Sequence, residues 1–231
     1  AAENPFAPGA GSQPPELAGR DGIIEQAGTA LERVLHGKHD RGMILKGLRG
    51  VGKTVLLVTL QRKAEDLGYH TVLIEALEPN RLTEQLVPRL RTVLVKISRM
   101  DHAKEVAKRS LQVLRAFAAA FKVSAAGVEI EVQPATGVAD SGNLELDLPD
   151  LLLSIGEAAK ASDTGVLILI DELQHLSSEE LSAVIVAIHR IGQRNLPVLF
   201  FGAGLPQIAG LAGNAKAYAE RLLRYPTVDK L

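Results

Sequence analysis

The sequence predicts an α/β domain, a three-layer sandwich in which a parallel sheet is covered by helices on both faces. Three observations predict it. Nearly all-apolar runs of strand length alternate with stretches of helical periodicity. The stretch GLRGVGKT, at 47–54, lies between the apolar runs Met43-Ile44-Leu45 and Val55-Leu56-Leu57. The most apolar strand of the chain, VLILI at 166–170, runs directly into the acidic pair Asp171-Glu172.

Taken in order, residues 1–14 have the Pro, Gly and Ala content of a flexible arm, and 15–231 form the folded core. Residues 21–36 carry apolar positions at helical spacing, with Asp21 placed to cap the start and Gly37 to close the end. A strand at 43–46 leads into the glycine loop, and a helix at 53–67 follows, closed by Gly68. After a strand at 71–75, Leu82, Leu86, Leu90, Leu94 and Ile97 mark a helix that Pro88 should kink or begin. A second helix at 101–121 places Val106, Val113, Phe117 and Phe121 near one face. The segment 122–132 (KVSAAGVEIEV) suggests a small hairpin and 134–142 a loop, so that about 99–147 reads as an inserted helix and hairpin. Residues 144–161 are expected to start extended and turn helical after Pro149. Ser177 and Glu180 form a capping box for a helix bearing Leu181, Val184, Ile185 and Ile188. A strand at 197–201, a loop with a short helix at 202–213 and a helix at 216–224 complete the chain.

Composition narrows the function classes. The chain has 231 residues, 46% of them hydrophobic, enough for one principal domain with a sizeable core. It contains no cysteine, which excludes a disulfide framework and Cys-ligated zinc or iron–sulfur sites. No apolar run approaches a membrane span and the N-terminus lacks the order of a signal peptide, so a cytoplasmic protein with no membrane partner is expected. The net charge of −1 supplies no global attraction to nucleic acid. Charge is uneven, however: 89–122 holds nine Lys or Arg against two acids, and 129–172 holds ten acids against one Lys. Solvated helix faces account for such runs at least as well as a binding surface does. His175 and His189 lack a second ligand at metal spacing and read as surface or packing residues.

The glycine stretch fits G-x-x-x-x-G-K-[ST] through Gly47, Gly52, Lys53 and Thr54, with Gly50 adding backbone freedom. Glycines permit positive φ and leave no Cβ to hold phosphate oxygens away, so main-chain amides can point inward as donors. The helix that follows adds its unpaired N–H groups and the positive end of its dipole. Lys53 is placed to reach the β and γ phosphates of ATP, and Thr54 to give its hydroxyl to Mg²⁺. The expected nucleotide contacts are Gly47, Gly50, Val51, Gly52, Lys53, Thr54 and Val55. Asp171, at the tip of an apolar strand, is the expected partner of the Mg²⁺ shell alongside Thr54. Glu172 points elsewhere and is the candidate to activate water against the γ-phosphate.

GLRGVGKT, VLILIDE, PVLFFGAGLP and AERLLRYPTV, preceded by ELAGRDGII, together resemble the AAA+ ATPases. Among these the chain is most similar to the branch holding origin-recognition proteins, helicase loaders and STAND-like bacterial ATP-binding proteins. The resemblance implies a P-loop NTPase sheet of order 5-1-4-3-2, with the strand near 198–201 lying between the strands of the glycine loop and of Asp171. It places Gly19-Arg20 against adenine and ribose, making Arg20 a nucleotide contact, and makes Arg221 and Arg224 candidates for an arginine finger that completes a neighbour's site. It also implies a helical lid following residue 231. In the family a polar sensor side chain ends the fourth strand; here that place reads Phe201-Gly202-Ala203-Gly204, leaving Gln207 as the substitute.

Two readings remain open. One is an ATPase that hydrolyses slowly with Lys53 and Glu172 as catalytic residues and switches contacts with a protein partner or its own oligomer. The other is a non-hydrolysing, nucleotide-gated adaptor or DNA-loading module, whose DNA version the net charge does not favour. A small-molecule kinase is disfavoured, because a Glu directly after the metal-binding Asp suits water as acceptor. Adenine is the default base, since no guanine-reading Asn-Lys-x-Asp is present.

Overall fold

The structure, a computed structural model, describes residues 19–123 and 133–229. The predicted arm at 1–14 and most of the predicted hairpin at 122–132 lie outside the described residues. The elements are α1 (Asp21–Leu35), β1 (Gly42–Lys46), α2 (Lys53–Asp66), β2 (Tyr69–Glu75), α3 (Leu82–Ile97), α4 (Lys104–Ala120), α5 (Leu144–Ala161), β3 (Gly165–Asp171), a 3₁₀ turn (Leu173–His175), α6 (Ser178–Gln193), β4 (Val198–Gly204), α7 (Ile208–Ala215), α8 (Ala219–Leu222) and β5 (Leu223–Arg224). The five strands are all parallel and lie in the order β2-β3-β4-β1-β5, as the resemblance implied.

Strand periodicity builds the three layers. On β3, Val166, Ile168 and Ile170 join a core shared with α3, α4, α5 and α6. Leu167 and Leu169 enter a second core with α1 and α2. Both faces are therefore covered, and β3 is buried at every residue. Each fully buried Leu or Ile contributes about 1.5–3 kcal/mol relative to exposure, which is why continuous apolar runs mark these strands.

Several element ends depart from the sequence expectation for identifiable reasons. The first helical residue of α1 is Asp21, and its cap position is held by Arg20, whose side chain does not cap it. α3 runs through Pro88, whose position on the exposed side spares the buried face of Leu86, Val87 and Leu90. α5 is helical from Leu144, ahead of Pro149, because Asn143 accepts the Glu145 amide at 3.0 Å. The buried Asp147 carboxylate also folds the preceding loop onto the first turn, accepting the Ser141 amide and hydroxyl and the Gly142 amide at 3.2, 2.8 and 2.8 Å. Only Ala219–Leu222 of the predicted last helix is helical, since Leu223 and Arg224 instead pair with Gly42 and Met43 along the edge of β1. Within 202–213, expected to be a loop with a short helix, the strand continues to Gly204, and the short helix forms from Ile208 to Ala215.

The capping box of α6 forms as expected, Ser177 Oγ accepting the Glu180 amide at 3.2 Å and Glu180 Oε2 accepting the Ser177 amide at 2.8 Å. Glu180 does more than the local pattern indicates. It also accepts the Leu82 amide at 2.8 Å and the Asn80 amide at 3.0 Å, so one buried carboxylate caps both α6 and α3. An N-cap contributes about 1 kcal/mol, and buried amides stripped of a partner cost about 1–3 kcal/mol. Glu180→Ala should therefore lower stability by at least about 2 kcal/mol, clearly more than Ser177→Ala, in urea unfolding of the two variants.

Candidate functional site

The C-terminal ends of β1 and β3 open on the same edge of the sheet, separated by β4, and the glycine loop emerges from β1 there. Open parallel sheets place ligands at that edge. A cavity of about 700 Å³ lies there, within the size range of small-molecule sites. Its walls include Gly50, Gly52, Lys53, Thr54, Val55, Asp171 and Glu172. An apolar cleft of about 40 Å³ near Val34, Val184 and Phe200 is far too small for a nucleotide.

Gly50 and Gly52 adopt φ of +76° and +86°, and a Cβ on either would meet nothing within 4 Å. Their requirement is conformational. Gly47 is different: a Cβ there would lie 2.4 Å from the Val228 carbonyl oxygen and 3.0 Å from Val51 Cγ2. The C-terminal segment runs beside the loop at this point, with the Lys46 amide bonded to the Pro226 carbonyl at 3.0 Å and the Val228 amide to the Lys46 carbonyl at 2.8 Å. Arg20, buried, ties the two together by donating to the Val51 carbonyl at 3.3 Å and to the Asp229 carbonyl. Arg20 thus stands behind the loop, and its side chain, Gly47 and the Val51 side chain do not line the cavity.

At the start of α2, Gly52 offers no side-chain cap, so the amides of Lys53, Thr54 and Val55 have no partner within the helix. The buried Lys53 ammonium donates to the Gly47 carbonyl at 3.0 Å and the Leu48 carbonyl at 2.8 Å. Thr54 Oγ1 donates to Asp171 Oδ2 at 2.6 Å, and Asp171 Oδ1 accepts the Glu172 amide at 2.8 Å. Glu172 has φ +53°, a left-handed conformation uncommon outside glycine, and it turns the chain sharply out of β3 into the 3₁₀ turn. Its carboxylate accepts from Gln174 Nε2, a partner that the sequence reading did not single out. The only sequence signal for Gln174 was a polar residue inside the Leu173–His175 turn that β3 leads into.

The arginines near the C-terminus occupy different surroundings. Arg224 pairs with Asp40 at 2.6 Å and donates to the Arg41 carbonyl at 3.0 Å, at the end of β1 opposite the glycine loop. Arg33 holds the other oxygen of Asp40 at 2.9 Å. Arg221 is exposed on α8, and its side chain has no hydrogen-bond or ion-pair partner among the described residues. Gln207, at the exposed start of α7, does not line the cavity. His175 Nδ1 lies 3.2 Å from the Leu77 carbonyl oxygen, and the His189 ring is 4.9 Å from that of Tyr218. Among the described residues, no three His, Cys, Asp or Glu side chains converge as metal ligands, and no helix is long and apolar enough to cross a membrane.

A glycine loop opening into a helix that begins Lys-Thr, joined to an acidic strand tip across one intervening strand, defines a P-loop nucleotide-binding fold. The chain belongs to the AAA ATPase domain family, whose model matches residues 16–201. No curated protein matches it. Among solved structures it is similar to Cdc6p from Pyrobaculum aerophilum, with a TM-score of 0.57 and 14% identity over 94% of this chain and 47% of that one. It is also similar to the Aeropyrum pernix ORC2 protein, solved as ADPNP–ADP complexes, with a TM-score of 0.52 and 19% identity over 95% of this chain and 49% of that one. The chain spans about half the length of each.

The two kinds of glycine predict different costs. Gly47→Ala forces a Cβ into backbone and should destabilise by about 2 kcal/mol, whereas Gly50→Ala meets only the left-handed backbone penalty of about 1 kcal/mol. Thermal unfolding of the two variants should give the lower melting temperature to Gly47→Ala.

Proposed function

We propose that this domain binds Mg-ATP and hydrolyses it slowly, switching its contacts with a protein partner or a second copy of itself. The observation that carries the reading is the convergence of Lys53, Thr54, Asp171 and Glu172 on one cavity, with Thr54 and Asp171 2.6 Å apart. The residues fit the ligand. Among the described residues the Lys53 ammonium is held by two loop carbonyls, contacts that phosphate oxygens can replace. The adjacent Thr54 hydroxyl and Asp171 carboxylate are hard oxygen donors of the kind Mg²⁺ prefers. Thr54 and Asp171 would hold the Mg²⁺, which neutralises charge on the phosphate oxygens when bound.

The chain's own groups then divide the work. The amides of Gly50 through Val55 and the dipole of α2 bind phosphate, and Lys53 exchanges its carbonyl partners for phosphate oxygens. Glu172 takes the proton of the attacking water as general base, a role worth 10²–10⁴-fold in rate. Arg20 acts from behind the loop, holding the Val51 carbonyl so that the loop keeps its shape. Exposed Arg221 is free to reach a neighbouring copy as a finger, whereas Arg224 must first leave Asp40. The absence of a side chain at Gly204 supports slow turnover.

The same absence supports the second reading, a nucleotide-gated adaptor without hydrolysis. Its DNA-loading version would draw on the exposed Arg89, Lys96, Arg99, Lys104, Lys108 and Arg109 of α3, α4 and their junction. Binding through such contacts would weaken steeply with salt in a gel shift.

The expected outcomes are these. Lys53→Ala loses Mg-ATP binding in calorimetry. Glu172→Gln keeps it, and phosphate release falls by roughly 10²-fold or more. Normal turnover in Glu172→Gln removes the ATPase assignment.

A further inference from the structure

The tip of β4 carries glycine at two alternate positions, and each makes room for the turn that follows β3. A Cβ on Gly202 would lie 2.4 Å from Leu173 Cδ1, and one on Gly204 would lie 3.1 Å from Gln174 Oε1. Leu173 thus packs over the first glycine and the Gln174 amide group over the second. Gln174 is bonded at both ends. Its Oε1 accepts the Leu205 amide at 3.1 Å, one residue beyond β4, and its Nε2 donates to Glu172 Oε2.

The chemistry permits only one arrangement. A backbone amide can only donate and an ionised carboxylate can only accept, so the group between them must present an acceptor at one end and a donor at the other. Among side chains of this length only glutamine does so, and the Leu205 amide fixes which end faces Glu172. The Gly204 carbonyl also accepts the Gly47 amide at 3.2 Å, so the β4 tip that anchors Gln174 is bonded to the base of the glycine loop.

We propose that Gln174 is the positioning residue for Glu172, supplying from the 3₁₀ turn the polar contact that the glycine at the β4 tip does not provide. One Glu172 oxygen is tethered and the other is left to accept a proton from water. The inference rests on the ATPase reading and deepens it. Gln207 is then not needed as the substitute.

The test compares the wild-type chain with Gln174→Ala, Gln174→Glu and Glu172→Gln, by steady-state phosphate release, by affinity for a fluorescent ATP analogue with Mg²⁺, and by melting temperature. Gln174→Glu keeps an acceptor for the Leu205 amide and replaces the donor toward Glu172 with a like charge, so it retains the tie to Leu205 if Gln174→Ala does not fold. The expected result is a fall in kcat of tenfold or more in Gln174→Glu, and in Gln174→Ala where it folds, with analogue affinity within twofold of wild type. Loss of affinity in proportion to rate would assign Gln174 a purely structural role and overturn the proposal. A normal rate in Gln174→Glu, with Glu172→Gln inactive, would overturn it and leave the ATPase reading standing. A normal rate in Glu172→Gln would remove both.

Discussion

Thr54 and Asp171 are separated by 117 positions in the chain, yet the hydroxyl of one donates to the carboxylate of the other at 2.6 Å. That contact requires β1 and β3 to end at the same level on either side of β4. Parallel pairing sets the level, with Met43 opposite Phe201 on one side and Leu169 opposite the same residue on the other. A one-residue slip of either strand would turn the apolar residues of one core into the other and move the strand tip by more than 3 Å. The two cores that fix the register therefore also fix the site, and the polar chemistry depends on apolar packing on both faces.

Around that contact the loop is braced from behind. Gly47 lets the C-terminal segment approach within a distance no Cβ would tolerate, and Arg20 bonds the loop carbonyl of Val51 to the same segment. The wall facing the cavity uses glycine for a different reason, the positive φ of Gly50 and Gly52. Between the two walls, Lys53 rests on its own loop's carbonyls, a set of neutral acceptors weaker than the charged oxygens it suits. Bracing keeps the loop shaped while the lysine remains exchangeable.

Much of the site was legible in the sequence because its signals are local. Gly50, Gly52, Lys53 and Thr54 act through the backbone conformation of one turn and the first residues of one helix, and Asp171 is marked by the apolar run it ends. The capping box at Ser177 and Glu180 is equally local. Asn143 and Asp147 overrode Pro149 as a helix-start signal, because side chains folding back on a loop leave no periodic trace. Leu223 and Arg224 became strand because the edge of β1 offered unpaired backbone groups.

By itself, then, the sequence determined the glycine turn, the acidic strand tip and the alternation of strands and helices, since spacing along the chain expresses these directly. Tertiary structure alone decided that Glu180 caps a second helix, that Arg20 clamps the loop to the C-terminal segment, that Arg224 is held by Asp40 and that Gln174 bridges Glu172 and Leu205. Each of these is a polar contact between segments that only the packed sheet and helices bring within 3.5 Å, and hydrogen-bond partners across such separations have no periodicity to read.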